Sequence, residues 1–213
     1  MHIQSFTFNP IQENTYILYD ETKECVIVDP GCYDREEKDE IYQWIYANNL
    51  KVKYLLNTHC HVDHVAGNQF IKTTFQVPLL IHPKETEILR SAKLYCALYG
   101  FVAFEESDPD QFIDENSSVK FGNTTLDVLF LPGHSPGHIA FIDRKDKICI
   151  SGDVLFFRSI GRTDLPGGHH QTLINSIKNT LFNLEDEYKV YSGHGSPTLL
   201  GDEKQYNPYV GKS

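Results

Sequence analysis

Four apolar runs in this sequence stop abruptly, and each is followed by a side chain that can donate to a metal ion. Leu55-Leu56-Asn57-Thr58 leads to His59, and Leu129-Phe130-Leu131-Pro132-Gly133 leads to His134. Ile148-Cys149-Ile150-Ser151-Gly152 leads to Asp153, and Val190-Tyr191-Ser192-Gly193 leads to His194. Short apolar runs bounded by turn residues read as buried strands. Residues just past strand C-termini can converge on one edge of a sheet, where open α/β sheets place their sites. One run ending in Gly-His carries little information. Four of them demand a sheet-based fold whose strand ends serve a common centre.

The first run is the richest. It opens Thr58-His59-Cys60-His61-Val62-Asp63-His64, three imidazoles and a carboxylate within six positions. No 3.6-residue apolar stripe passes through it, and Thr58, Val62 and Gly67 sit poorly in a helix, so it reads as a loop. With His134, Asp153 and His194 the donors number seven, more than the four of a closed structural zinc site. Seven suit two metals and leave coordination positions open for water, which is the mark of catalysis. No cysteine belongs to the set, so zinc, iron and manganese are all acceptable occupants.

Around these donors the chain alternates strands and helices. Ile3–Phe8, Thr15–Tyr19 and Cys25–Val28 read as strands, the last stopped by Asp29-Pro30-Gly31. Asp34 to Asn48 reads as a helix capped by Asp34 ahead of Glu37, with Ile41, Trp44 and Ile45 on one side. The strand Lys53–Asn57 enters the histidine loop, and a helix Val65–Thr74 leaves it. A strand Val77–Ile81 and a longer helix Lys84–Tyr99 follow. Residues 100–118 read as a surface excursion. Strands are expected at Val119–Phe121, Thr124–Leu131, His138–Ile142, Ile148–Ser151 and Lys189–Ser192, with a helix at Thr172–Leu181. Residues 195–213 are expected to hold one helical turn. The order gives two similar halves, with helices packed outside stacked sheets.

At 213 residues the chain can bury a substantial core, and we read it as a single domain spanning 1–213. Its net charge of −10 argues against nucleic acid as a partner. Met1 to Pro10 lacks the basic and apolar regions of a signal peptide, and no apolar run approaches the ~20 residues of a membrane span. The five cysteines are odd in number and form no framework, which fits a reducing compartment. The expectation is a cytoplasmic protein with a small-molecule substrate and no membrane partner. Its oligomeric state is left open.

His59-x-His61-x-Asp63-His64, Gly133-His134, Gly152-Asp153 and Gly193-His194 resemble the metallo-β-lactamase superfamily. Within it the chain is similar to the short glyoxalase II-like hydrolases, a likeness extended by Val28-Asp29-Pro30-Gly31, Pro132 to His138 and Gly161-Arg162-Thr163-Asp164. The resemblance implies a four-layer αββα sandwich with a dinuclear site at one sheet edge. It implies His59, His61 and His134 on one metal, Asp63, His64 and His194 on the other, and Asp153 bridging. It implies two divalent ions, zinc by preference, and hydrolysis of acyl thioesters such as S-lactoylglutathione by a metal-bridging hydroxide that Asp63 also orients. Full-length glyoxalase II adds a C-terminal helical domain that holds glutathione, and the nineteen residues after His194 are not expected to supply it. Lactone or ester hydrolysis would use the same centre. A persulfide dioxygenase of this superfamily would instead use one iron on His59, His134 and Asp153.

Other residues have blander expectations. Arg162 is either a substrate anchor or one half of an Arg162–Asp164 pair. Cys60 should turn away from its histidine neighbours as buried filler. His138 should bond locally, His169 and His170 should be polar residues at a helix start, and Tyr95, Tyr99, Phe101 and Phe104 should serve core and lid packing.

Overall fold

In the computed structural model, which describes residues 1–212, the β-branched and aromatic runs form the strands that the sequence marks out. β1 (His2–Phe8), β2 (Glu13–Tyr19) and β3 (Glu24–Val28) make an antiparallel meander. α1 (Arg35–Ala47) then crosses over to β4 (Lys51–Leu56), which pairs parallel to β3. Asp34 accepts the Glu37 amide at 2.9 Å while Glu37 accepts the Asp34 amide at 3.3 Å, so both ends of a capping box are closed. α2 (Val62–Val65), α3 (Asn68–Phe75), β5 (Leu79–Ile81), α4 (Thr86–Tyr95) and β6 (Gln111–Phe112) complete the first half, giving a six-stranded sheet in the order β1-β2-β3-β4-β5-β6.

The second sheet runs β14-β13-β10-β9-β8-β7. Its strands are β7 (Ser118–Phe121), β8 (Thr124–Phe130), β9 (Ile139–Asp143), β10 (Ile148–Gly152), β13 (Lys189–Ser192) and β14 (Thr198–Leu199). A hairpin of β11 (Leu155–Phe156) and β12 (Ser159–Ile160), helix α5 (His170–Asn179) and helix α6 (Leu200–Tyr206) accompany it. The described residues fall into two compact units, Met1–Phe112 with Lys120–Thr125, and Ile113–Val119 with residues 126 onward.

Each unit has its own apolar core. In the first, Phe6, Phe8, Ile17, Cys25, Ile27, Leu55, Leu79 and Ile81 from the sheet pack with Ile41 and Ile45 of α1, Ile71 of α3 and Leu89 of α4. These strand residues recur at every second position, so one sheet face meets the helices. In the second, Ala140, Ile142, Cys149 and Val190 pack with Leu173 and Ile177 of α5 and Leu200 of α6. Among the described residues no helix is long and apolar enough to cross a membrane.

The structure corrects several expectations. Asp63 and His64 lie on the one-turn helix α2, not in an unwound loop. Hydrogen bonds outweigh weak helix propensity there: His64 N–H donates to the His61 carbonyl at 3.1 Å, and Asn57 Nδ2 donates to the His64 carbonyl at 3.1 Å. The following helix starts at Asn68, because Gly67 N–H is drawn to the Pro30 carbonyl at 2.7 Å. A Cβ on Gly67 would stand 2.5 Å from Cys32 Sγ, so no other residue fits this close approach.

The expected helix 84–99 is interrupted, with 3₁₀ turns at Pro83–Glu85 and Cys96–Tyr99 flanking α4. The 100–118 segment is anchored. Phe101 is fully buried against Tyr33, and Gln111–Phe112 pairs parallel to β5. The last residues hold α6 and the strand β14 ahead of it. Fully buried Glu203 on α6 accepts the Arg158 amide at 3.0 Å, Arg158 Nη1 at 2.7 Å, Thr198 Oγ1 at 2.7 Å and Asn207 Nδ2 at 2.8 Å. Asn207 Nδ2 also donates to the Ser159 carbonyl at 3.0 Å, so α6 grips the β11–β12 hairpin.

Candidate metal centre

Strand direction places the donors. β3, β4 and β5 are parallel, so Asp29 and His59 leave the same edge of the first sheet. In the second sheet β10 and β13 are parallel, and β8 and β10 both run antiparallel to β9. His134, Asp153 and His194 therefore emerge at one edge as well.

In the first unit His59, His61, Asp63 and His64 are all buried, and the rings of His59 lie 4.7 Å from His61 and 4.1 Å from His64. Asp29 organises them. Its Oδ1 accepts the Thr58 amide at 2.7 Å, and its Oδ2 accepts the Thr58 hydroxyl at 2.6 Å and faces His64 Nδ1 at 3.1 Å. A carboxylate can only accept, so Nδ1 of His64 carries the proton and Nε2 carries the lone pair a metal needs. The Thr58 hydroxyl, with its proton given to Asp29, lies 3.1 Å from His59 Nδ1 and sets the same tautomer there. Nε2 of His64 stands 3.7 Å from Asp63 Oδ2. One donor atom from each of Asp29, His59 and His64 lies within 4.8 Å of the others. Fully buried Glu13 stands beside this group, with Oε1 3.8 Å from His64 Nδ1. Burial holds its carboxyl well above the usual range, against the opposing pull of His64.

The second unit repeats the arrangement. His134 Nδ1 faces the Arg162 carbonyl at 2.8 Å, which fixes its proton there and turns Nε2 inward. That Nε2 lies 3.6 Å from Asp153 Oδ2, and His194 Nε2 lies 3.5 Å from the same oxygen. Asp153 is itself steered by buried His138, whose Nε2 accepts the Asp153 amide at 3.0 Å. Two donors on a tetrahedral ion at about 2.1 Å stand about 3.4 Å apart. The separations of 3.5, 3.6 and 3.7 Å within the two groups match that spacing, and the nitrogen-and-carboxylate set is the one zinc and iron accept. The residues therefore fit a metal.

Gly161 is part of this geometry. A Cβ there would stand 2.0 Å from the Asp153 carbonyl oxygen and 3.2 Å from His134 Nδ1. Gly161→Ala is expected to lower stability by about 1–3 kcal/mol through overpacking and to weaken metal uptake with it, as thermal unfolding and metal analysis would measure. A variant with wild-type metal content would contradict the tight fit.

The structure thus brings His59, His61, Asp63 and His64 together in one unit, and His134, Asp153 and His194 together in the other. Arg162 forms a two-pronged ion pair with Asp164, both bonds at 2.7 Å, and holds that carboxyl down to about 2. Its carbonyl, not its guanidinium, serves His134. Cys60 is buried in the first core, where burial and then the charge of Glu85 push its thiol well above the usual value. His169 caps α5, with Nδ1 accepting the Thr172 amide at 3.2 Å.

Sequence reasoning missed three supports. Asp29 obeys the strand-then-donor rule and was open to the same argument as His59. His138 was expected to bond locally, whereas its Nε2 takes the amide of Asp153 fifteen residues on, and Glu13 carries no sequence signal at all.

The profile of the metallo-β-lactamase superfamily matches residues 8–194, and the chain belongs to that superfamily. It is a metallo-hydrolase with the metallo-β-lactamase fold, a mixed α/β architecture. A curated relative, the hydroxyacylglutathione hydrolase GloC of Haemophilus influenzae, is 35% identical over 212 residues, 99% of this chain and 98% of that protein. Among solved structures, the BLEG-1 B3 metallo-β-lactamase is 35% identical with a TM-score of 0.88, covering 98% of this chain and 99% of its own. TTHA1623 in a di-iron-bound form is 34% identical with a TM-score of 0.87, covering 97% and 100%.

Proposed function

We propose that this metallo-hydrolase cleaves acyl thioesters, S-lactoylglutathione among them, at a dinuclear centre completed by both donor groups. His59, His61 and His134 would hold one ion, Asp63, His64 and His194 the other, and Asp153 would serve both. The observation that carries this reading is Asp153 Oδ2, which faces two imidazole nitrogens at 3.6 and 3.5 Å. Full-length similarity to a protein named as a hydroxyacylglutathione hydrolase supports the substrate class. When bound, two divalent ions, zinc in our reading, lower the pKa of a water towards 7 and polarise the substrate carbonyl.

The chain's own residues do the rest. Asp29, Thr58 and the Arg162 carbonyl hold the imidazoles in the tautomers that ligate. Asp63 orients the attacking water through its carboxylate. No residue in the set is suited to protonate a poor leaving group. Tyr95 is pushed up to about 12 chiefly by burial, and burial also raises the Cys60 thiol well above its usual value. A thiol of pKa roughly 8.5 leaves as thiolate without such help, which is why a thioester suits this centre.

The test is a panel of thioesters, lactones and glutathione persulfide run with metal analysis. Because Arg162 is engaged by Asp164, a glutathione carboxylate finds little cationic anchorage beside the donor loop. The expected preference for S-lactoylglutathione over the same acyl group on a small thiol is below about 100-fold, or about 2.7 kcal/mol. A larger preference would mean that another element binds the tripeptide, with Arg162→Ala the first variant to try. No thioester turnover by protein carrying two metals would end the proposal. Similarity to ETHE1 from Myxococcus xanthus, 26% identical with a TM-score of 0.82, favours a second reading in which one iron on His59, His134 and Asp153 serves persulfide oxidation, and the di-iron-bound form of TTHA1623 supports iron as an occupant of either centre.

A further inference from the structure

The histidine loop is held from two sides by buried carboxylates. β5 runs parallel to β4, so the chain beyond Ile81 reaches the edge where His59 lies. There His82, Pro83, Lys84 and Glu85 form a tight turn in which Glu85 N–H donates to the His82 carbonyl at 2.9 Å. Glu85 is 1% exposed, and its Oε2 accepts the Cys60 amide at 2.9 Å. On the β3 side, Asp29 accepts the Thr58 amide at 2.7 Å. The two amides that flank His59 are therefore each taken by a carboxylate from the segment that follows a neighbouring parallel strand. Neither amide lies within a helix or strand, so nothing periodic orders this backbone. A buried carboxylate carries a large desolvation cost, and a backbone amide left buried without an acceptor carries one too.

We propose that Glu85 is a positioning residue for the metal held by His59 and His61. It rests on the reading of those residues as ligands. Cys60 sends its side chain into the first core. With its amide fixed by Glu85, the residues before and after it are turned the other way, and His59 and His61 meet at 4.7 Å with ring planes 88° apart. Glu85 acts through the Cys60 backbone amide. Supporting partners of this kind contribute about 10–100-fold to metal affinity.

The experiment is titration of the metal-free protein with cobalt(II), followed by visible absorption, with thermal unfolding of the same samples. Wild type should bind two ions. Glu85→Ala should bind one of them 10–100-fold more weakly with an altered spectrum, whereas Glu85→Gln, which keeps an acceptor at the same reach, should stay within threefold. Leu89→Ala, which opens the same core away from the loop, should lower the unfolding temperature and leave both affinities intact. Where Glu85→Ala does not fold, Glu85→Asp keeps the charge, loses the reach, and should weaken the same ion about tenfold. Wild-type affinity and spectrum in Glu85→Ala or Glu85→Asp would overturn the proposal, as would equal weakening in Leu89→Ala. Wild-type protein that takes up no cobalt would overturn the metal reading itself, and this proposal with it.

Discussion

Asp153→Ala is expected to lose most of its bound metal and nearly all hydrolytic activity. The residue stands directly after β10, fixed by its amide to His138, with one oxygen turned to His134 and His194 at once. The fall in kcat/KM should exceed the ~100-fold that losing an outer partner of a metal site costs. Cys60→Ala, buried among apolar side chains between the proposed ligands His59 and His61, should keep metal and activity. Metal analysis beside thioester turnover checks both, and full occupancy of two metals in Asp153→Ala would sink its assignment.

The second large effect separates two chemistries. Asp63→Asn combined with His64→Ala removes two of the three donors proposed for one ion and leaves His59, His61, His134 and Asp153 in place. In a dinuclear hydrolase the two cations share the nucleophile and the developing oxyanion, so metal content should fall from about two to about one and thioester turnover by several orders of magnitude. A mononuclear iron dioxygenase needs only two histidines and a carboxylate with open positions. If the double variant retains full activity, and that activity consumes oxygen with glutathione persulfide, the hydrolase reading is wrong.

Much of this was legible because the informative signals were local. The apolar runs ending at Thr58, Gly133, Gly152 and Gly193 announced both the strands and the donors beyond them. The Asp34–Glu37 capping box was readable for the same reason, since both partners lie three residues apart. What failed was decided by partners far away in sequence. The turn of helix at Val62–Val65 is a nearer case, closed on the His61 carbonyl and tied to Asn57 seven residues before His64. Gln111–Phe112 becomes a strand because β5 offers an edge, and Asp110 accepts the Leu79 amide at 2.8 Å to register it. Phe101 lies in a stretch with weak pattern, and the Tyr33 ring that covers it comes from far upstream. The tautomers of His59, His64 and His134 could not be read at all. They depend on Thr58, Asp29 and a carbonyl of Arg162, and a carbonyl has no sequence signature.

The grip of α6 on the β11–β12 hairpin has a mechanical consequence. The hairpin begins two residues after Asp153 and ends just before Gly161, whose backbone presses on Asp153. Its apex is fastened to Glu203 and Asn207 by short polar bonds that act as rivets more than as springs. A pull applied beyond Tyr206 would load those bonds together with Val210 and Leu200 of the second core. Strain applied on that side would reach the hairpin beside Asp153, the proposed bridging ligand, whereas a pull ahead of β1 would act on the paired strands β1 and β2.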